Sequence, residues 1–161
     1  MSRGVSLDEF REVFSSVPTP VSIVTALRDG VPHGTTVSSF CSLSAEPPLV
    51  LVALDRGSNT LGVVNETRRF GVNVLAADQD GAARSCASKG EGKFAAIEWR
   101  EEEGLPRLEG TTSWLACEVE DELEGGDHVI VTGLVVGCDH TDRPPLVYHR
   151  RTFWTPGAVE Y

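Results

Sequence analysis

Residues 21–54 read VSIVTALRDGVPHGTTVSSFCSLSAEPPLVLVAL. The turns inside this stretch limit how its strands can pair. Val21 to Leu27 is apolar and rich in β-branched residues, and Asp29-Gly30 is a hairpin signal. Val31 to Phe40 returns as a second strand, Pro47-Pro48 marks its end, and Leu49 to Leu54 is a third, continuously apolar strand. A parallel pair would need a crossover of a dozen or more residues between strands, and none fits here. The segment therefore predicts antiparallel neighbours.

Outward from it, Ser6-Leu7-Asp8-Glu9 is a capping box, and Leu7, Phe10, Val13 and Phe14 recur at helical spacing up to Pro18. That apolar stripe is expected to contact the core. Ser58-Asn59-Thr60 starts a second helix carrying Leu61 and Val64. Phe70 to Ala76 is a strand, and Asp78 is expected to cap a helix running to about Cys86. Residues 88 to 110 have loop composition, with Glu98 and Glu101-Glu102-Glu103 expected on a solvated face. Ser113 to Glu120 and His128 to Val136 are strands, with Gly125-Gly126 marking the turn between them. Leu146 to Arg150 is a last short strand, and the tail from Thr155 is expected to be loose. About seven strands with two or three helices, joined mostly by short turns, predict a mainly β, antiparallel barrel or sandwich.

The chain has 161 residues without an internal repeat or linker, so residues 1–161 read as one domain. Fourteen Lys and Arg against 24 Asp and Glu give a net charge of −10, which argues against nucleic acid and anionic membrane surfaces as partners. The longest strongly apolar run, Pro47 to Leu54, falls far short of the roughly 18 residues of a membrane span. The N-terminus lacks the apolar core of an export signal, so a cytoplasmic protein is expected. Cys41, Cys86, Cys117 and Cys138 are spread apart without C-x-x-C spacing; reduced, mostly buried thiols and no metal site are expected.

Gly90-Glu91-Gly92-Lys93-Phe94-Ala95 matches G-x-G-x-x-A, but a helix precedes it where a dinucleotide fingerprint needs a strand. No G-x-S-x-G elbow exists, and of the four histidines His128, behind Gly125-Gly126-Asp127, stands out. Along Thr35-Thr36-Val37-Ser38-Ser39, alternation sends Thr36 and Ser38 to one face and Thr35, Val37 and Ser39 to the other. This run is either an edge strand with polar residues outward or a hydroxyl and N–H wall for a polar ligand. Ser58-Asn59-Thr60 is either a plain helix cap or an anion site at a helix N-terminus. Arg56, Lys89 and Lys93 could supply the cations that a phosphate needs in an acidic chain.

Taken in order, TPVSIVTA, GVPHGTTVSSFCSLSAEPPLVLVAL, SNT, RFGVNVLAADQ, KFAAIEW, GDH and PLVYHR resemble the flavin reductase-like family. These are small FMN-binding split barrels, the reductase components of two-component flavin-dependent monooxygenases. The likeness covers about residues 8–154. It implies an antiparallel Greek-key split β-barrel with a few flanking helices, assembled as a homodimer with flavin near the interface. It implies an NAD(P)H:flavin oxidoreductase that uses NADH or NADPH to reduce FMN, or FAD, for a separate monooxygenase. Thr36, Val37, Ser38 and Ser39 are implied flavin contacts, largely through backbone. Ser58, Asn59 and Thr60 are implied around the ribityl phosphate, Asn73 beside the pocket, and Lys93 and Phe94 as phosphate and ring neighbours. His128 is the implied catalytic residue on the nicotinamide side, and Tyr148 and Arg150 are implied nicotinamide-nucleotide contacts. Many relatives carry glycine where this chain has Arg150-Arg151-Thr152. Since the flavin carries the redox chemistry, no acid–base pair is required. Two rivals stay open: a split-barrel flavoprotein with tightly bound FMN acting on its own substrate, and a non-catalytic flavin- or haem-binding module.

Overall fold

Asp29 (φ 52°) and Gly30 (φ 75°) both adopt the left-handed conformation that a two-residue type I′ turn requires. They join strand β2 (Ser22–Arg28) to β3 (Val31–Val37) as the antiparallel hairpin the sequence predicts. The structure, a computed structural model, describes residues 4–157; the end of the tail expected to be loose lies outside the described residues.

The chain runs α1 (Leu7–Ser15), β1 (Thr19–Pro20), β2, β3, β4 (Phe40–Ser44), β5 (Leu49–Asp55), α2 (Asn59–Thr67), β6 (Arg69–Val74) and α3 (Asp80–Ala87). It continues through β7 (Trp99–Glu102), β8 (Leu105–Leu108), β9 (Ser113–Gly125), β10 (His128–His140), β11 (Val147–His149) and β12 (Thr152–Trp154). Seven strands form one antiparallel sheet in the order β3-β2-β6-β9-β10-β5-β4. Its two edges, β3 and β4, are consecutive in the chain and separated only by Ser38 and Ser39. The sheet must curl until those edges meet, and with no ladder between them the barrel stays split there. The β5–α2–β6 connection skips over β10 and β9, which makes the topology a Greek key.

Val31 to Phe40 is thus not one continuous strand: β3 ends at Val37 and β4 begins at Phe40. At the break the Ser39 hydroxyl donates to the Ala53 carbonyl (2.8 Å) and accepts from the Ala53 N–H (3.1 Å), tying the corner to β5. The stretch read as loop hides the β7–β8 hairpin, turned by Glu103 and Gly104, both at positive φ. Within the acidic cluster, Glu102 is half-buried and ion-paired to Arg100 and Arg107. Asp78 does not cap α3; it pairs with Arg143 (2.6 Å), and Gln79 occupies the cap position without a side-chain cap bond.

The barrel interior is aliphatic: Val24, Val52, Leu54, Val64, Phe70, Val72 and Val131 are all buried. A second cluster of Ile23, Leu75, Ala83, Cys86, Leu108 and Leu146 seats α3. Two cysteines, Cys86 and Cys117, are buried, and burial pushes their thiols up to about 11 and about 12. Cys41 and Cys138 are exposed, against the expectation of mostly buried thiols. The capping box of α1 forms as read, yet α1 buries none of its residues. Leu7, Phe10, Val13 and Phe14 are 60%, 50%, 62% and 57% exposed, so the stripe expected against the core faces outward. Among the described residues, no helix is long and apolar enough to cross a membrane.

Candidate functional site

A cleft of about 830 Å³ opens between the β2–β3 hairpin, the start of α2 and the segment 90–95. The α2 wall comes from its cap: the Ser58 hydroxyl accepts from the Leu61 N–H (3.4 Å) and fixes the first turn. The N–H groups of Asn59 and Thr60 stand in that first turn, where helix geometry gives them no intrahelical acceptor. With the helix dipole they form a site for an anion.

The facing wall depends on Lys93. Its ammonium donates to the Gly34 carbonyl (3.3 Å) and the Cys86 carbonyl (3.2 Å), which leaves a third N–H for a ligand. The Ser85 hydroxyl holds the Lys93 carbonyl at 2.7 Å, so the lysine is fixed at both ends. Phe94 stands edge-on to Trp99, with centroids 6.2 Å apart, and lies over Gly34. A Cβ at position 34 would come within 2.8 Å of the Phe94 ring, so only glycine lets the ring close that wall. Ser58, Asn59, Thr60, Lys93 and Phe94 thus share one cleft.

Arg28 and His33 line the same cleft and were missed from sequence. Burial, reinforced by Arg28, holds the His33 imidazole below its ordinary range. The signal was the Asp29-Gly30 turn itself, which folds Arg28 and His33 to one end of the hairpin.

The remaining candidates do not line this cleft. Thr36 donates to the Ala83 carbonyl (2.7 Å), Val37 packs on the barrel core, and Ser38 is exposed at the split beside Ser39. Thr36 and Val37 end β3, and Ser38 and Ser39 join it to β4. Asn73 is fully buried, with its amide donating to the Ile23 carbonyl (3.3 Å) and Thr25 Oγ1 (3.2 Å) and accepting from the Leu108 N–H (2.8 Å).

His128 opens β10 opposite Asp55, outside the cleft lining. Its Nδ1 is 2.8 Å from the Asp127 carboxylate, and this hydrogen bond holds that carboxyl below the usual range. Arg56 ties this turn to the loop that enters α2, through the Gly126 carbonyl (2.8 Å) and the Asp127 carbonyl (3.1 Å).

Tyr148 lines a second, smaller cleft of about 370 Å³, together with Arg84, Ser88, Arg151 and Phe153. Arg150 lines neither cleft; its N–H donates to the Ser15 carbonyl at 2.7 Å. Arg150 (φ 49°) and Arg151 (φ 61°) make a two-residue turn with both residues left-handed, a conformation that costs roughly 1–2 kcal/mol per residue without glycine. No group of three or more His, Cys, Asp or Glu among the described residues could hold a metal ion.

The family described as flavin reductase like domain matches residues 14–156. The chain is 39% identical over 145 residues to the reductase component of a 4-nitrophenol 4-monooxygenase/4-nitrocatechol 2-monooxygenase from Rhodococcus opacus, covering 90% of this chain and 78% of that one. It is 36% identical over 154 residues to the reductase subunit HsaB of a flavin-dependent monooxygenase from Mycobacterium tuberculosis, covering 93% and 82%. Its fold superposes with a TM-score of 0.88 on an NADH:FAD oxidoreductase, SgcE6, from Streptomyces globisporus, solved in complex with NAD and FAD fragments. That match is 31% identical and covers 95% of this chain and 96% of the other.

Proposed function

We propose, since the chain belongs to the flavin reductase-like family, that it moves hydride from NADH or NADPH to FMN or FAD and supplies reduced flavin to a separate monooxygenase. The observation that carries this reading is the single cleft in which a helix N-terminus, the Lys93 ammonium and the Phe94 ring converge. Those groups suit the phosphate and the planar ring of a flavin nucleotide. Flavin, when bound, supplies the hydride-accepting chemistry.

The chain's own residues have to hold and orient. Asn59 and Thr60 offer N–H groups to the phosphate, and Lys93 adds a charge-assisted hydrogen bond. Strand β3 is a sheet edge ending at Val37, so alternate backbone N–H groups along it face away from β2, and Thr36, Val37, Ser38 and Ser39 are proposed to contact the bound ring from that edge and the corner after it. His128, with its ring fixed by Asp127, is proposed to orient the nicotinamide, and Tyr148 and Arg150 to contact the nicotinamide nucleotide. No residue is asked to act as an acid or base on the flavin.

The assembly is proposed to be a homodimer. Its support is α1, whose apolar stripe is left exposed by the described residues of one chain. Replacing both Phe10 and Phe14 with Glu is expected to halve the mass seen by sedimentation equilibrium; an unchanged mass removes α1 from the interface.

Anaerobic mixing of the protein with NADH or NADPH and excess FMN or FAD tests the activity. Bleaching of the flavin band at about 450 nm through many turnovers is expected. Reduction of one equivalent only would favour the tightly bound flavoprotein. No reduction with either nucleotide would favour the non-catalytic module.

A further inference from the structure

Arg56 stands just before Gly57 and Ser58, the cap of α2, yet it does not line the cleft that holds the proposed phosphate site. The sequence offers it as a cation for that phosphate, and the structure commits its guanidinium elsewhere. Its Nε donates to the Gly126 carbonyl at 2.8 Å, and its outer nitrogen pairs with the Glu124 carboxylate. Its backbone N–H donates to the Asp127 carbonyl at 3.1 Å. One residue thus bonds the turn between β9 and β10 with both its side chain and its backbone.

That turn has little else to hold it. It consists of Gly126 and Asp127, set between the paired residues Gly125 and His128, with Gly126 at φ 74°. Adjacent glycines restrain the chain weakly. Strand β6 pairs with β9 only as far as Glu118, so beyond that residue β10 is the one sheet neighbour of β9. The loop on the other side of Arg56 is well fixed: the Ser58 N–H donates to the Asp55 carbonyl (2.9 Å), and the Gly57 N–H to the Asp55 carboxylate (2.7 Å). Asp127 carries the carboxylate that lies 2.8 Å from Nδ1 of His128. A group that fixes Gly126 and Asp127 therefore also fixes the imidazole.

We propose that Arg56 is a positioning residue for hydride transfer: it braces the Gly126–Asp127 turn against the loop entering α2, and so sets the His128 imidazole relative to a flavin whose phosphate sits on the first turn of that helix. This rests on the reductase reading and on the nicotinamide-side place proposed there for His128. Arg56 contacts neither substrate, yet it governs their relative placement, on which a hydride transfer over about 3–3.5 Å depends steeply.

Anaerobic stopped-flow mixing of the FMN-loaded protein with NADH or NADPH is the test. Arg56→Gln is expected to slow hydride transfer about tenfold, with the FMN Kd within about threefold of wild type. Arg56→Lys, which keeps a charge opposite Glu124, should recover part of the rate. His128→Ala should also slow the step, and adding Arg56→Gln to it should cost less than about a further twofold, because residues that act through one another are not additive. Losses that multiply in the double variant overturn the proposal, as does an Arg56→Gln rate within about twofold of wild type. So does a flavin Kd raised about tenfold with an unchanged rate at saturating flavin, which would return Arg56 to the phosphate. Backbone amide order parameters from NMR need no turnover: at Asp127 and His128 they should fall from about 0.85 to below about 0.6 in Arg56→Gln. That fall in a protein that reduces no flavin would keep Arg56 as the brace of the turn and overturn the reductase reading instead. Unchanged order parameters overturn the brace.

Discussion

On the proposed reading, Lys93→Ala is expected to raise the Kd for FMN by about thirtyfold, the loss of one charge-assisted hydrogen bond to phosphate of about 2 kcal/mol. The side chain has two duties. Its Nζ clasps the Gly34 and Cys86 carbonyls, closing the segment that carries Phe94 onto β3, and its third N–H is the donor left for an anion. Both are binding duties, so kcat at saturating flavin should stay within about threefold while the flavin KM follows the Kd. The loss should shrink in high salt, because part of it is Coulombic and the cleft is open to solvent. Quenching of flavin fluorescence in titrations of wild type and variant reads the change, with circular dichroism as the check on folding. A Kd within twofold of wild type in a folded variant would remove Lys93 from the phosphate site. The contacts at Asn59 and Thr60 would then have to suffice alone.

What could be read from sequence and what could not divides along the distance over which each signal acts. The Asp29-Gly30 turn and the Ser6–Glu9 capping box are set by stereochemistry within four residues, and both form as read. The β7–β8 hairpin escaped because Glu103-Gly104 lies inside an acidic run, and its reason for existing is remote. Leu105 and Leu108 are buried against the barrel, which no local spacing reveals. The α1 stripe was legible as amphipathic, but none of its residues is buried by the described part of this chain, so its expected core contact failed. Ser58 and Thr60 were legible as a helix start. That Lys93 closes over them depends on the fold bringing the segment after α3 back to β3. Arg28 and His33 show the opposite case: the turn was read, while its consequence for which side chains share the cleft was not drawn.

Asn73→Leu is expected to lower the melting temperature by roughly 10 °C, taking about 3 kcal/mol lost at about 3 °C per kcal/mol for a chain of this size. The amide is the joint of three strands. It bonds the Ile23 carbonyl and the Thr25 hydroxyl on β2, and receives the Leu108 N–H of β8, while Thr25 donates onward to the Pro106 carbonyl at 2.7 Å. These bonds pin the β7–β8 hairpin to strands β2 and β6. Leucine removes them and strands the Leu108 N–H and its neighbours in a dry environment, where each orphaned group costs about 1–3 kcal/mol. Nor can the hub close up: a Cβ on Gly71 would already come within 2.5 Å of Thr25 Oγ1, which shows how tightly the strands approach there. The family resemblance implies a place for Asn73 beside the flavin pocket, whereas its hydrogen bonds are all to protein. Thermal melts and flavin titration of one variant decide between these roles. A lowered melting temperature with the flavin Kd kept within about threefold below the transition identifies Asn73 as a positioning residue of the scaffold. A near-native melting temperature with much weaker flavin binding would return it to the cofactor site and would require the amide to exchange a protein partner for the ligand.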